Sequence, residues 1–89
     1  MATATVRLTN PQGLHARPAA MFSMTASGFG CEVLVSKNGK TVNGKSVIRL
    51  ISLDCRTGDE ITITTSGIDE VVALEKLSAL VQQGLAEEG

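Results

Sequence analysis

The sequence predicts an α+β fold of order βαββαβα, an open-faced two-layer sandwich in which three helices cover one face of a four-stranded antiparallel sheet. Three observations predict it. Residues 2–9 and 60–64 alternate apolar with polar side chains, the period of a half-buried strand. Residues 16–27 and 69–81 space their apolar side chains at helical intervals. Asn38-Gly39, between two short alternating runs, is a strong two-residue hairpin signal because both residues tolerate positive φ.

Each element follows in order. Ala2, Ala4, Val6 and Leu8 alternate with Thr3, Thr5, Arg7 and Thr9 in the first strand. Asn10-Pro11-Gln12-Gly13 ends it, since proline and glycine break a ladder and favour a turn. A helix is predicted over 16–27, with Ala19, Phe22 and Ala26 toward the core and Gly28 closing it in a left-handed conformation. Cys31, Val33 and Val35 share the inward face of the second strand, and 40–43 returns with Val42 inward.

Residues 46–53 are ambiguous, because the adjacent pairs Val47-Ile48 and Leu50-Ile51 defeat alternation. Ser46 is a good N-cap, and Val47, Leu50 and Leu53 would form one helical stripe, so a short helix is predicted. Arg56-Thr57-Gly58-Asp59 is a turn, and 60–66 is the fourth strand with Ile61 and Ile63 inward. In the last helix Asp69 is the expected N-cap and Ile68 is expected to pack on Ala73 as a hydrophobic staple. Leu74, Leu77, Leu80 and Val81 are its expected buried stripe, with Gly84 at its end and a fraying tail beyond. A right-handed first crossover places the fourth strand between the first and second, giving the order 1-4-2-3.

Composition narrows the function. The 89 residues suit a single domain, 1–89. A net charge of −1, with no Lys/Arg cluster and no aromatic stacking platform, argues against nucleic acid. No apolar run approaches ~18 residues and the first residues lack signal-peptide order, so no membrane insertion is expected and the cytoplasm is the expected location. Cys31 and Cys55 are far apart and His15 is the only imidazole, so neither metal nor cofactor is expected. Both thiols read best as small apolar groups in or near the core.

The chemistry concentrates in Gly13-Leu14-His15-Ala16-Arg17-Pro18-Ala19. First-turn amides lack helical partners and the macrodipole adds about half a positive charge there, so a helix start beside His15 can hold an anion. Arg17 adds a full charge. Pro18 fits the first turn, where a missing N–H costs no helical bond. Neutral imidazole, the main form near neutral pH given a reference pKa of about 6.5, is a nucleophile toward phosphorus. His15 is therefore the candidate phosphoryl acceptor and Arg17 the candidate stabiliser.

This stretch resembles the active-site signature of the HPr family, the histidine-containing phosphocarriers of the bacterial phosphoenolpyruvate-dependent sugar phosphotransferase system, and the βαββαβα order extends the resemblance over nearly the whole chain. The resemblance implies that His15 takes phosphate on Nδ1 from phosphorylated enzyme I and passes it to the IIA domains of sugar permeases. It implies roles for Arg17 in stabilising the phosphate and for Ala16 through its backbone amide. It makes the chain a carrier rather than a stand-alone enzyme, expected to be monomeric.

A second similarity, Asn43-Gly44-Lys45-Ser46-Val47-Ile48, falls on a serine that many members, chiefly Gram-positive, present to HPr kinase/phosphorylase. Ser46 is thus a candidate regulatory site, with that kinase and a catabolite-control transcription factor as candidate partners. The plain N-cap role explains Ser46 equally well. Arg49, where regulated members commonly carry Gly, and Ile48 and Ile51, where they carry Met, look more like the enterobacterial type. Asp54-Cys55 also replaces a glycine often found there. Ala20, Met24, Val47, Ile48, Arg49 and Ile51 are the candidate partner-binding surface, a small apolar patch rimmed by a cation.

Three alternatives stand beside the carrier. A nitrogen-related phosphotransfer carrier would share the fold and His15 but serve another enzyme I. A regulatory HPr-like binding module usually lacks the histidine. A small hydrolase would need Cys31 or Cys55 within reach of His15.

Overall fold

In the computed structural model residues 1–9 and 13–84 are described; the turn expected at Asn10-Pro11-Gln12 and the expected fraying tail beyond Gly84 lie outside the described residues. The chain forms β1 (Ala2–Arg7), α1 (Ala16–Ser27), β2 (Glu32–Lys37), β3 (Lys40–Asn43), α2 (Val47–Ser52), β4 (Glu60–Ser66) and α3 (Glu70–Gln82). The order βαββαβα is the predicted one.

Alternation decides which face of the sheet is covered. In β4, Ile61, Ile63 and Thr65 are buried while Thr62 and Thr64 point to the open side. All pairings are antiparallel, in the order β1-β4-β2-β3, as predicted. Val6 pairs with Ile61, and Ile63 with Val35, so the registers stack apolar side chains on one face. A one-residue slip would turn these side chains outward, which fixes the register. On the open face, Thr5 and Thr62 pair through their hydroxyls at 3.1 Å and Thr3 with Thr64 at 3.4 Å. Asn38 and Gly39 take φ of 51° and 84°, the positive values that let a two-residue turn follow the strand twist.

The helices supply the other half of the core. Ala19, Phe22 and Ala26 of α1, Leu50 of α2, and Ala73, Leu77 and Val81 of α3 are buried against Val6, Val33, Val35, Ile61 and Ile63. Cys31 and Cys55 are free thiols within this core, as expected. Ser46 caps α2 as predicted, its Oγ accepting from the Arg49 N–H at 3.4 Å. No helix among the described residues is long and apolar enough to cross a membrane.

Four expectations are corrected. Gly28 does not take a left-handed conformation; it sits at φ −74°, ψ −8°. The helix closes by tightening, with Gly28 N–H donating to Thr25 and Phe29 N–H to Ala26, so the carbonyls are met without positive φ. Asp69 stands at the cap position of α3, but at φ 63° rather than in the extended region that aims a cap side chain at first-turn amides, and its carboxylate makes no cap bond. Ile68 is 77% exposed, so there is no staple. Glu70 organises this end instead: its carboxylate accepts from Gly67 N–H at 3.0 Å, and its carbonyl accepts from the Thr65 hydroxyl at 2.7 Å. The buried stripe of α3 is centred on Ala73, Leu77 and Val81, while Leu74 and Leu80 pack half-buried at its edges. Spacing of four residues lines up Ala73, Leu77 and Val81 on the buried side, and Leu74 falls to the flank.

Leu77 is fully buried at the centre of α3. Leu77→Ala is expected to destabilise the fold by about 2–4 kcal/mol through the cavity it leaves. Urea unfolding measures this, and a loss under ~1 kcal/mol would place Leu77 outside the core.

Candidate functional site

The N-terminus of α1 sets the site. His15 is the N-cap residue, with extended backbone at φ −82°, ψ −174°, and its carbonyl accepts the first helical bond from Ala19 N–H at 2.8 Å. Its side chain makes no cap bond, and the residue is exposed. Ala16 and Arg17, the first two helical residues, are exposed as well, and amides at those positions have no acceptor within a helix. Pro18 follows at the third position, buried, where the absent N–H sacrifices nothing. An accessible imidazole thus stands at the positive end of a three-turn helix with a guanidinium two residues on.

What fixes that position is the chain just before it. Gly13 takes φ +64°, and a Cβ there would lie 2.5 Å from the Cys55 carbonyl oxygen and 2.7 Å from Arg56 Cα. Only glycine satisfies both constraints, one conformational and one steric. Leu14 is buried, and its N–H donates to that same carbonyl at 3.0 Å. The segment after α2 therefore forms a wall against which Gly13 and Leu14 rest, leaving His15 to emerge at the surface.

That wall has its own supports. Lys37 Nζ donates to the Asp54 carbonyl at 2.8 Å and pairs with Asp59 Oδ2 at 2.9 Å. Asp59 Oδ2 also accepts from Arg56 N–H at 2.9 Å. The hydrogen bond from Lys37 holds the Asp59 carboxyl below its usual range, helped by the Arg56 amide, and Asp59 in turn raises the Lys37 ammonium. Burial pushes the Cys55 thiol up, so its thiolate is disfavoured despite the nearby ammonium. With Cys31 and Cys55 both in the core, neither thiol is presented as a nucleophile. Asp54 takes φ 54°, a left-handed conformation that explains why glycine suits this position. Among the described residues no cluster of three or more His, Cys, Asp or Glu side chains could hold a metal ion.

The predicted partner-binding residues fall on α1 and α2, which pack together. Ser23 of α1 joins them, its hydroxyl donating to the Lys45 carbonyl at 2.8 Å. Met24 is 74% exposed, Ile48 80% and Ile51 40%, and Arg49 is exposed beside them. Ala20 is half-buried, and Val47 is half-buried because it packs on the core. Met21, 40% exposed, belongs with the exposed group. Ser46 is half-buried at the start of α2. Gly13 and Leu14 lie within the stretch that the sequence singles out, though their contacts with Cys55 do not show there, and Lys37 and Asp59 carry no sequence signal that joins them to it. The glycine before the histidine was a visible signal, but the lysine and aspartate depend on contacts far apart in the chain.

Against known proteins, the family model described as "PTS HPr component phosphorylation site" matches residues 2–83. The chain is 51% identical over 71 residues to the HPr-like protein Crh of Bacillus subtilis, covering 80% of this chain and 84% of that one. It is 41% identical over 78 residues to the phosphocarrier protein HPr of Buchnera aphidicola from Acyrthosiphon pisum, covering 88% and 92%. The crystal structure of HPr-C-His from Thermoanaerobacter tengcongensis superposes with a TM-score of 0.95 at 38% identity, covering 100% of both chains.

Two outcomes follow from the wall. Gly13→Ala is expected to destabilise the domain by about 2 kcal/mol or more, since Cβ must displace backbone; wild-type stability in urea would contradict it. Asp59 is depressed in the folded state, so its contribution to stability is complete above its unfolded pKa of about 3.9 and lost as pH falls through the lower folded value. Asp59→Asn should therefore lower the melting temperature at pH 7, and the gap to wild type should close below that range. A gap independent of pH would contradict the assignment.

Proposed function

The chain belongs to the PTS HPr family of phosphocarriers, which are carrier proteins rather than catalytic enzymes, and from that premise we propose that His15 is its phosphoryl acceptor. The observation that carries this reading is an exposed imidazole at the N-cap of α1 whose side chain is not used for capping. In the forward step a His15 ring lone pair forms the new P–N bond while the bond from phosphorus to the enzyme I donor group breaks. The broken bond's electron pair leaves with that donor group, and the ring proton stays on the other nitrogen of His15. The return step to a IIA domain of a sugar permease reverses these roles.

Neutral imidazole becomes a phosphoramidate carrying negative charge, and the Ala16 amide, the helix dipole and Arg17 then all attract it. Contacts of about 1 kcal/mol each at an exposed site orient the group without trapping it. Positioning and charge are most of what phosphoryl transfer asks of a protein.

Met24, Ile48 and Ile51, with Ala20 and Val47 beneath and Arg49 at the rim, form the docking surface for enzyme I and the IIA domains in this reading. Apolar exposure flanked by cations suits an acidic partner surface with an apolar centre. Ser46 lies at the start of α2 on the same side, so a phosphate there would set negative charge beside that surface and slow docking without refolding the domain. Regulation through an HPr kinase/phosphorylase belongs to this reading as a second layer. The protein acts as a single, monomeric domain in the cytoplasm.

The test is incubation with a bacterial enzyme I and phosphoenolpyruvate, followed by intact mass. One acid-labile, base-stable phosphate is expected, absent in His15→Ala. Arg17→Ala should keep the fold and slow transfer about fivefold, the rate equivalent of ~1 kcal/mol. Wild-type protein that takes no phosphate from several enzyme I types, or His15→Ala that still takes it, would overturn the assignment.

A further inference from the structure

The segment joining α2 to β4 holds the chain on both sides of residues 10–12. On one side, Leu8 N–H donates to the Asp59 carbonyl at 2.9 Å and Gly58 N–H donates to the Leu8 carbonyl at 2.8 Å. On the other, Leu14 N–H donates to the Cys55 carbonyl at 3.0 Å, one residue before His15. The place of His15 therefore depends on the shape of residues 54–59.

That shape is held from a third direction. Lys37, the last residue of β2, is drawn in until its side chain is 17% exposed, with its ammonium on the Asp54 carbonyl and on Asp59 Oδ2. These two contacts span the segment from its first residue to its last. Lys40 reinforces its entrance, donating to the Ser52 carbonyl at 3.0 Å. Carbonyls following a helix C-terminus have no helical donors, so a cation placed there meets both the hydrogen-bond demand and the dipole. Asp59 Oδ2 also takes the Arg56 amide, which closes the turn on itself. A neutral side chain at 37 would leave Asp59 with that amide and Asp54 with a carbonyl lacking its ammonium.

We propose that Lys37 is a positioning residue for phosphoryl transfer at His15: by bridging Asp54 and Asp59 it fixes the 54–59 segment, whose Cys55 carbonyl sets the place of Leu14 and so of the imidazole. The inference rests on His15 being the acceptor. Lys37 lies on the β2–β3 hairpin rather than on α1 or α2, so it acts through these two contacts and not through partner binding. Displacement of a reacting group by ~1 Å can cost up to about a hundredfold in rate, so a modest loosening of this segment is enough to register.

The test compares wild type, Lys37→Met and Lys37→Arg in rapid-mixing phosphorylation by enzyme I and phosphoenolpyruvate, with NMR of the Leu14 amide and the His15 ring. Lys37→Met is expected to slow the maximal transfer rate by about three- to tenfold while KM for enzyme I stays within about twofold. The Leu14 and His15 signals should shift at temperatures where the protein is fully folded. Lys37→Arg keeps the charge and two donors and should restore the rate to within about twofold of wild type. If Lys37→Met does not fold, Asp59→Asn carries the same comparison. Unmoved Leu14 and His15 signals, an unchanged maximal rate, or a loss confined to KM would each overturn the proposal. Wild-type protein that takes no phosphate at all would instead overturn the acceptor assignment on which it rests.

Discussion

The approach of Gly13 to the Cys55–Arg56 backbone is the contact on which the functional end of this molecule depends. A helix start attracts anions wherever it occurs, but it becomes a site only when a reactive side chain is held in front of it. Here Gly13 at φ +64° lets the backbone lie against the neighbouring segment, and Leu14 then turns inward and donates to the Cys55 carbonyl. With Leu14 buried and α1 beginning at Ala16, His15 is left as the one exposed residue between two anchored points. Its side chain is free because the residue contributes to the helix through its carbonyl alone. The sheet matters to function mainly through this arrangement: the end of β1 and the turn before β4 meet where Leu8 pairs with Gly58 and Asp59.

The same economy governs the surface. A helix of six residues, α2, buries Leu50 completely and spends Ile48 on solvent. A chain selected for solubility alone would place a polar residue at a position 80% exposed. Next to it α1 exposes Met24 and part of Met21, flexible side chains that can repack against different partners. A carrier must be recognised by a donor and by acceptors in turn, and a small adaptable patch is what the proposed docking at this surface requires. Weak, fast docking also suits a relay, because residence longer than the chemistry would slow the flow of phosphate.

Most of the fold was legible because it rests on local rules. Alternation in 2–8 and 60–64, the Asn38-Gly39 turn and the Ser46 cap each have a mechanism confined to a few residues, and each was read correctly. Errors arose where neighbours in space override local preference. Gly28 could have closed α1 with positive φ, but the tightened turn through Thr25 and Ala26 met the same carbonyls. Asp69 looked like a cap, yet Glu70 and Thr65 fix that corner from the side of the sheet, and the Asp69 backbone turns into the left-handed region. At the site, His15, Ala16 and Arg17 were visible as a motif. The wall behind them was not, since Lys37, Cys55 and Asp59 show no periodicity that joins them to His15.

The departures from the family's usual residues can be weighed by the same reasoning. Asp54 stands where glycine is often found, and its φ of 54° shows why glycine is favoured there. Aspartate is among the few other residues that visit this region at modest cost, because its short side chain can be satisfied locally. The conformation is therefore kept although the residue has changed, and with it the Asp54 carbonyl that Lys37 holds. Arg49 departs differently: it is exposed, its backbone amide serves the Ser46 cap, and its side chain adds positive charge beside the exposed Ile48. One substitution preserves a backbone shape and the other alters the charge of an exposed surface. The second kind of change leaves the fold untouched, whereas the first is confined to the few residues that the left-handed backbone admits.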